Sequence, residues 1–430
     1  MKYKRLSSKL FKQNRKRFIK HLSQGAMAIF HANDLMPRNG DAYHKFRQNS
    51  DLFYLSGLDQ EEVVVALFPD CINPDWQEVV FTKRTSEQIA IWEGEKYTKE
   101  EVRKVSGIKT VYWLEDMDRI LTEMIILSNA IYLNGNENTR FRSAVAYKDI
   151  RFLEDIKRTF PFHRIERAQP IMKTLRMIKS EIEIEAIQRA VDLTGQAFRR
   201  VMQFTKPGVM EYEVEAEMTH EFIRNGATGH AYEPIIASGA NACVLHYVEN
   251  NRPCKDGDLL LMDFGAEYAN YAADMTRTIP VNGQFTKRQK KIYKAVLNVM
   301  RASTQMLRPG TTVDKYHKEV GKIMESELIR IGLLDKTDVK NQSKEYPLYK
   351  KYFMHGTSHH LGLDVHDIGN FYTEIKPGMV FTCEPGIYIR EEGIGIRLED
   401  DIIVTDDNPI NMMKNIPVEP SDIEDCMHSK

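Results

Sequence analysis

Long apolar runs are missing from this chain. No stretch approaches the roughly 18 residues that cross a bilayer, so no helical membrane span is expected. Surplus charge is missing too: the formal net charge is −1, which gives no global pull toward nucleic acid or an anionic membrane. Cysteine is sparse, with five scattered residues. That argues against a disulfide framework and for reduced thiols in the cytoplasm. Acids are absent from the first twenty residues, which carry Lys2, Lys4, Arg5, Lys9, Lys12, Arg15, Lys16, Arg17 and Lys20. No apolar segment or small-residue cleavage site follows, so a secretory signal is excluded. An organelle transit peptide would share this basic, acid-poor composition; the expectation is a solvated surface helix. A glycine-rich phosphate loop is also missing.

What is present is an ordinary globular composition, 42 % hydrophobic and 28 % charged, over 430 residues. That length exceeds what one core usually holds and predicts two domains. The division falls near residue 170. Residues 1–170 read as a smaller α/β domain. Ala26–Phe30, Val63–Phe68, Val79–Thr82 and Ala130–Leu133 are its strand candidates, and Thr98–Val105 and Tyr147–Arg158 its helix candidates. Residues 171–430 open on an S-x-x-E capping box, Ser180 and Glu183. An apolar stripe follows (Ile184, Ile187, Val191, Phe198, Val201) and stops before Lys206-Pro207-Gly208. The design returns with Thr286 and Gln289, a stripe at Ile292, Val296, Val299 and Met306, and a stop at Arg308-Pro309-Gly310. A second helix follows each stop, ending near Gly226 and Gly332. The matched order predicts an internal duplication.

Chemistry-bearing residues stand after each pair of helices. Asp263 ends the strand-like run Asp258–Phe264, and Asp274 lies in Tyr271–Thr278, eleven residues later. A hairpin turning around Tyr268-Ala269 would place the two carboxylates opposite each other on one face. Glu384 and Glu399, fifteen apart, stand at the ends of Val380–Glu384 and within Gly395–Asp400, and a symmetric hairpin puts them on one face as well. Bare acids at apolar strand ends repel each other and lose hydration; a metal removes that problem, and ordinary hydrated strand-end acids are the alternative. Histidines crowd the segment Met354–Asp367, with His355, His359, His360 and His366 within twelve residues, which suggests a metal or acid–base site. His246, in Leu245-His246-Tyr247, is a weaker signal.

The stretches LHY at Leu245–Tyr247, DGDLLLMDFGAEYANYAADMTRTIPVNG at Asp256–Gly283, HGTSHHLGLDVHD at His355–Asp367, KPGMVFTCEPGIYI at Lys376–Ile389 and GIGIRLEDDIIVT at Gly393–Thr405 closely resemble the metallopeptidases of the pita-bread fold. Within that fold the resemblance is to the Xaa-Pro aminopeptidase (aminopeptidase P) family. RQNSDLFYLSG at Arg47–Gly57 looks like the signature of that family's N-terminal domain. The implied architecture is α/β (α+β): a catalytic domain with an internal pseudo-twofold repeat around a curved antiparallel sheet, preceded by a smaller α/β domain. The resemblance implies five metal ligands, Asp263, Asp274, His359, Glu384 and Glu399. They would hold two divalent ions, which the oxygen-rich donor set and the family preference both make Mn²⁺.

It further implies Glu384 as general base and His246, His355 and His366 around the scissile bond and the proline. Arg397 would be the arginine that fixes a ligand carboxylate, and Tyr388 a candidate for the proline pocket, with packing beneath the strands as the alternative. Peptides with proline at the second position are the implied partners, with no nucleic acid and no membrane, and a homodimer or homotetramer is the implied assembly. Trp92 resembles a tryptophan that reaches a neighbouring subunit's site; core packing is the other expectation. His360 departs from the tryptophan common in bacterial relatives and bears on the proline side of the pocket. Cys383 should face away from Glu384 as a packed side chain rather than a nucleophile. A prolidase on the same fold, or a catalytically dead peptide-binding module, are the competing functions; the second would lack metal ligands. Methionine aminopeptidase is disfavoured by the large N-terminal domain.

Overall fold

The computed structural model describes residues 2–343 and 345–429. Two compact units form. One runs from Arg5 to Arg176; the other takes Met177 onward together with the short stretch up to Lys4. The division falls after Arg176, later than the sequence placed it, because the helix Gln169–Met177 is tied into the first unit. Arg176 Nη1 donates to Asp51 Oδ1 at 2.8 Å, and Gln169 Nε2 donates to Asp51 Oδ2 at 2.5 Å, all of it buried.

The first unit is built on a six-stranded mixed sheet. Its order is Thr110–Trp113, Glu78–Thr82, Val63–Leu67, Ala26–His31, Ala130–Leu133, Arg164–Arg167. The strands Ala26–His31 (AMAIFH) and Val63–Leu67 (VVVAL) are buried along their whole length; continuous apolar runs of this kind belong to sheets packed on both sides. The edge strands Thr110–Trp113 and Arg164–Arg167 are half exposed, and their mixed composition is why the sequence did not announce them. The Arg47–Gly57 motif is structural here. Asn49 caps the helix Ser50–Ser56 by accepting from Asp51 N and Leu52 N, and Gln48 Nε2 donates to Leu58 O at 2.9 Å and Gln60 O at 2.8 Å. The basic N-terminal helix, Ser8–Ile19, is not wholly solvated. Arg15 is 1 % exposed and its Nη1 donates to Leu55 O (2.7 Å) and Ser106 O (3.0 Å), which satisfies carbonyls at two other helix ends.

The second unit shows the expected duplication. The helix Glu181–Phe204 packs on Glu211–Arg224, and Lys287–Met306 on Val313–Ile331. Both capping boxes form, with Ser180 N donating to Glu183 Oε2 and Thr286 N to Gln289 Oε1, each at 2.8 Å. Gly208 and Gly310 both take left-handed φ, 94° and 92°, where the chain leaves the first helix of each pair. In front of the helices lie antiparallel sheets: Ile235–Ser238, Leu259–Phe264 and Met275–Pro280 in the first half, and Val380–Cys383 against Asp400–Ile403 in the second, with Gly386–Ile389 against Ile394–Arg397. Among the described residues no helix is long and apolar enough to cross a membrane.

The hairpin carrying the aspartates differs from the expectation by two residues. Tyr268 pairs with Tyr271, and Ala269-Asn270 form the turn with φ of 51° and 66°, the paired left-handed conformation of a two-residue hairpin turn. Asp263 therefore faces Thr276, and Asp274 stands diagonally from it. A shift of two keeps the strand face, so the carboxylates still share one side. Tyr271–Thr278 is also not one strand: it breaks at Ala273-Asp274. Gly265 stands at the break. A Cβ there would lie 1.7 Å from Ala273 O, so the two backbones can close only over a glycine.

Candidate metal centre

The second half needs no such adjustment. Cys383 pairs with Asp400, and Gly386 with Arg397, so one register runs through both ladders. Between them the pairing opens at Glu384-Pro385 and Leu398-Glu399. Pro385 lacks the N–H to continue it, yet Leu398 N still donates to Pro385 O at 3.2 Å. Glu384 and Glu399 thus face each other in register. Their amides are used elsewhere: Glu384 N donates to Thr357 O (2.8 Å) and Glu399 N to Thr276 O (3.0 Å). The second bond joins the glutamate hairpin to the aspartate strand.

His359 completes the group. Its amide donates to Thr382 Oγ1 at 3.1 Å, and Thr382 N donates back to His359 O at 3.0 Å. Its Nδ1 lies 3.0 Å from His360 O, so that nitrogen keeps a proton in either state, and Nε2 is the one that faces the acids, able to offer a cation its lone pair once its own proton leaves. Nε2 is 3.3 Å from Asp274 Oδ2 and 3.5 Å from Glu384 Oε1. Ligand atoms of Asp274, His359 and Glu399 all fall within 4.8 Å of one another. Glu384 adjoins this trio through His359, and Asp263 through Tyr232. The Tyr232 hydroxyl lies 2.6 Å from Asp263 Oδ1 and 2.5 Å from Asp274 Oδ1, and its single proton serves one carboxylate at a time.

The electrostatics call for a cation. Burial pushes Asp274 and Glu399 above the ordinary carboxylate range, and Glu384 up to about 7, with neighbouring acids adding to each shift. Burial opposes charge on His359, but the bond to Asp274 and the charge of Glu384 outweigh it and raise the imidazole to about 9. Four acids and one imidazole lone pair gathered at buried strand ends fit a divalent ion or a pair of them, and the donors are mostly hard oxygens. With no metal bound, Arg397 pairs with Asp263, and His359 with Asp274 and Glu384.

Arg397 is the hub of the surrounding bonds. Nη2 donates to Asp263 Oδ2 at 2.5 Å, Nε to Thr276 Oγ1 at 3.0 Å, and Nη1 to the Tyr388 hydroxyl at 2.9 Å. Thr276 Oγ1 in turn donates to Glu399 Oε2 at 2.6 Å. The Tyr388 hydroxyl also lies 2.8 Å from His355 Nε2, while His355 Nδ1 lies 2.7 Å from Gly356 O. A carbonyl can only accept, so Nδ1 is protonated and Nε2 accepts from Tyr388. Burial and the Arg397 charge hold His355 down to about 3, which keeps it neutral. Its Nδ1 is 3.7 Å from Glu384 Oε2. The Tyr388 ring is buried in an apolar cluster, so only its hydroxyl reaches the centre.

The other histidines separate. His366 meets His359 edge to face, ring centroids 4.5 Å apart and planes at 76°, and its residue is exposed. His246 is exposed in a turn after the 3₁₀ helix Gly239–Cys243, near enough to His355 for its charge to be felt there. His360 points the other way. It is 3 % exposed and packs on Phe381 at 4.3 Å, which makes it a buried support behind His359. Cys383 is buried with Ser303 Oγ at 3.1 Å and Thr304 Oγ1 at 3.5 Å, and its thiol is pushed up to about 11; it is packed and not nucleophilic. Trp92 is 83 % exposed, which removes the core-packing reading. Sequence reasoning missed Tyr232, Thr276 and Asp401. Asp401 is fully buried and accepts from Asp274 N at 3.2 Å, and a second acid directly after Asp400 was its signal.

Comparison with known proteins agrees with this geometry. Residues 185–406 match the model of metallopeptidase family M24, and residues 11–132 match that of the aminopeptidase P N-terminal domain. The Xaa-Pro aminopeptidase of Escherichia coli is 34 % identical, covering 98 % of both chains. Human Xaa-Pro aminopeptidase 3 is 32 % identical over 90 % of this chain and 78 % of its own. Among solved structures, zinc-substituted E. coli aminopeptidase P in complex with product superposes with a TM-score of 0.89 at 32 % identity over 99 % of each chain. Pseudomonas aeruginosa aminopeptidase PepP gives 0.89 at 31 % over 98 % of each. With both domain models matched in order and relatives aligned end to end, the chain belongs to metallopeptidase family M24, in its aminopeptidase P branch, and is a hydrolase, a metallo-aminopeptidase.

Proposed function

We propose that the chain hydrolyses the N-terminal Xaa-Pro bond of peptides at a dinuclear centre of Asp263, Asp274, His359, Glu384 and Glu399. The observation that carries this reading is the register that sets Glu384 opposite Glu399 and closes both on His359 and Asp274. Support for the substrate comes from the relatives named Xaa-Pro aminopeptidase, which match across both domains. Divalent metal, when bound, supplies Lewis-acid polarisation and makes water acidic near neutral pH. Mn²⁺ suits the four-carboxylate donor set.

The chain's own residues do the rest. Glu384 takes the proton of the attacking water and passes it to the proline nitrogen, which has no other route to a neutral leaving group. His355 stays neutral and holds its Nδ1–H between Gly356 O and Glu384. His246 and His366, both solvent-accessible beside the centre, donate to the carbonyl oxygen as charge develops there. Arg397 holds Asp263 directly and Glu399 through Thr276, fixing the acids against their mutual repulsion. The exposed Trp92 fits a contact with a second copy in a homo-oligomer. Five unpaired thiols fit the reducing cytoplasm.

Hydrolysis of Arg-Pro-Pro against Ala-Pro, by chelated protein reloaded with Mn²⁺, tests the reading. Release of free Arg, with the dipeptide poorer, is expected. Cleavage of the dipeptide alone makes the protein a prolidase, and no cleavage with manganese bound makes it a binding module.

A further inference from the structure

Glu211 is the first residue of the helix Glu211–Arg224 and is fully buried. No cation among the described residues pairs with it. Instead five neutral donors converge on its carboxylate. Oε1 accepts from Ser238 N (2.7 Å), Ser238 Oγ (2.7 Å) and Asn241 Nδ2 (3.1 Å). Oε2 accepts from the Tyr247 hydroxyl (2.7 Å) and Arg252 N (2.9 Å). Donors in this number at a helix N-terminus meet the hydrogen-bonding demand of a buried carboxylate that has no partner cation.

All five donors belong to one segment, Ser238 to Arg252, and that segment carries His246. Glu211 N also donates to Arg252 O at 3.0 Å, closing the far end. One helical turn on, Glu215 Oε2 accepts from Asn250 Nδ2 at 2.8 Å, and Asn250 takes a positive φ of 45°. The helix therefore grips the segment on both sides of His246. Tyr247 is its neighbour in sequence, and the Tyr247 ring packs in the same buried cluster as Tyr388 and Leu245. The 3₁₀ helix within the segment rests on the glutamate hairpin, where a Cβ on Gly395 would lie 2.2 Å from Ala242 O. His246 itself is exposed, and no hydrogen bond of its own fixes it among those described.

We infer that Glu211 is a positioning residue that sets His246 over the reacting carbonyl by gathering the Ser238–Arg252 segment onto one buried carboxylate. The inference rests on the role given to His246 above. It predicts what Glu211→Gln does. The amide keeps one acceptor oxygen but turns an NH₂ toward donors; Tyr247 can rotate its hydroxyl to accept, whereas Arg252 N–H cannot.

The test compares wild type, Glu211→Gln, His246→Ala and the double variant. The imidazole cross-peaks of His246 are followed by ¹⁵N NMR in metal-free protein, metal uptake by calorimetry, and Arg-Pro-Pro hydrolysis in the Mn²⁺ form. Expected are shifted or broadened His246 signals, unchanged metal uptake, and kcat/KM lower by roughly tenfold to a hundredfold. The double variant should be no slower than His246→Ala alone, because residues acting as one unit are not additive. Unchanged His246 signals, or losses that multiply in the double variant, overturn the inference. The NMR arm stands even if wild type fails to cleave Arg-Pro-Pro, which would count against the substrate reading alone. If Glu211→Gln does not fold, Tyr247→Phe removes one of the five donors and is read in the same way: an unmoved His246 overturns the inference, a moved one supports it.

Discussion

Tyr388 shows how one side chain serves two environments. Its ring fills an apolar cluster, while its hydroxyl passes a hydrogen bond from Arg397 to His355. From sequence, pocket wall and core packing looked like alternatives, but an amphipathic ring meets both demands at once. Arg397 has the same character. A planar guanidinium reaches Asp263, Thr276 and Tyr388 together, and an ammonium cannot span three partners in that geometry. Arg397→Lys should therefore lower kcat/KM by about tenfold to a hundredfold while retaining charge, measured with the Mn²⁺-loaded enzyme; a near-normal rate would show that charge alone matters. Cys383→Ala should keep at least half of wild-type activity, and thiol alkylation should leave the native enzyme active, since the sulfur sits among hydroxyls on the far side of its strand from Glu384. The five proposed ligand residues could be picked out because they stand in long ordered motifs. Tyr232 was not, because a lone tyrosine in Ala231-Tyr232-Glu233 has no spacing to give it away; only the fold brings it to Asp263 and Asp274.

At the scale of the element, hairpin parity decided which faces were readable. Odd separations place two acids on one face of a hairpin that has no bulge and an even number of loop residues, and both pairs lie on hairpins of that kind. The turn position was less readable. Tyr268-Ala269 looked symmetric, yet Ala269-Asn270 form the turn, because asparagine tolerates the left-handed region where tyrosine does not. The break at Ala273-Asp274 likewise depends on Gly265, whose role appears only when two backbones meet. Gly265→Ala should destabilise the protein by about 2–3 kcal/mol, seen in urea unfolding, and weaken metal uptake because Asp274 moves with Ala273. Normal metal affinity in a folded Gly265→Ala protein would separate the break from the site.

Across the whole molecule, the duplication was the most legible feature, since caps, stripes and Pro-Gly stops recur in order and each formed. Stability of the molecule should depend on pH through His230. It packs on Phe222, its Nδ1 is buried without a partner, and burial holds its pKa down to about 4. Above about pH 6.5 it is neutral in both folded and unfolded chains. Between there and about pH 4 the unfolded chain binds a proton that the fold refuses, so stability falls as pH falls; below that both states are protonated and the contribution is flat. The full loss is of order 3 kcal/mol. Unfolding free energies of wild type and His230→Leu, compared at several pH values across that window, should show wild type losing stability relative to the variant as pH falls, and a difference independent of pH would reject the assignment.

The bond from Glu399 N to Thr276 O, which joins the two hairpins, is backed by an arginine brace. Arg277, fully buried, donates to Thr276 O and Glu399 O, to Asp400, and to Pro417 O near the end of the described chain. Synthesis delivers Asp263 and Asp274 first, His359 and Glu384 well after, and the Pro417 carbonyl later still. A nascent chain on the ribosome therefore carries two acids with no imidazole and no brace, a poor trap for any cation. Metal acquisition becomes a late event of biogenesis, set by the order in which the two halves of the repeat emerge.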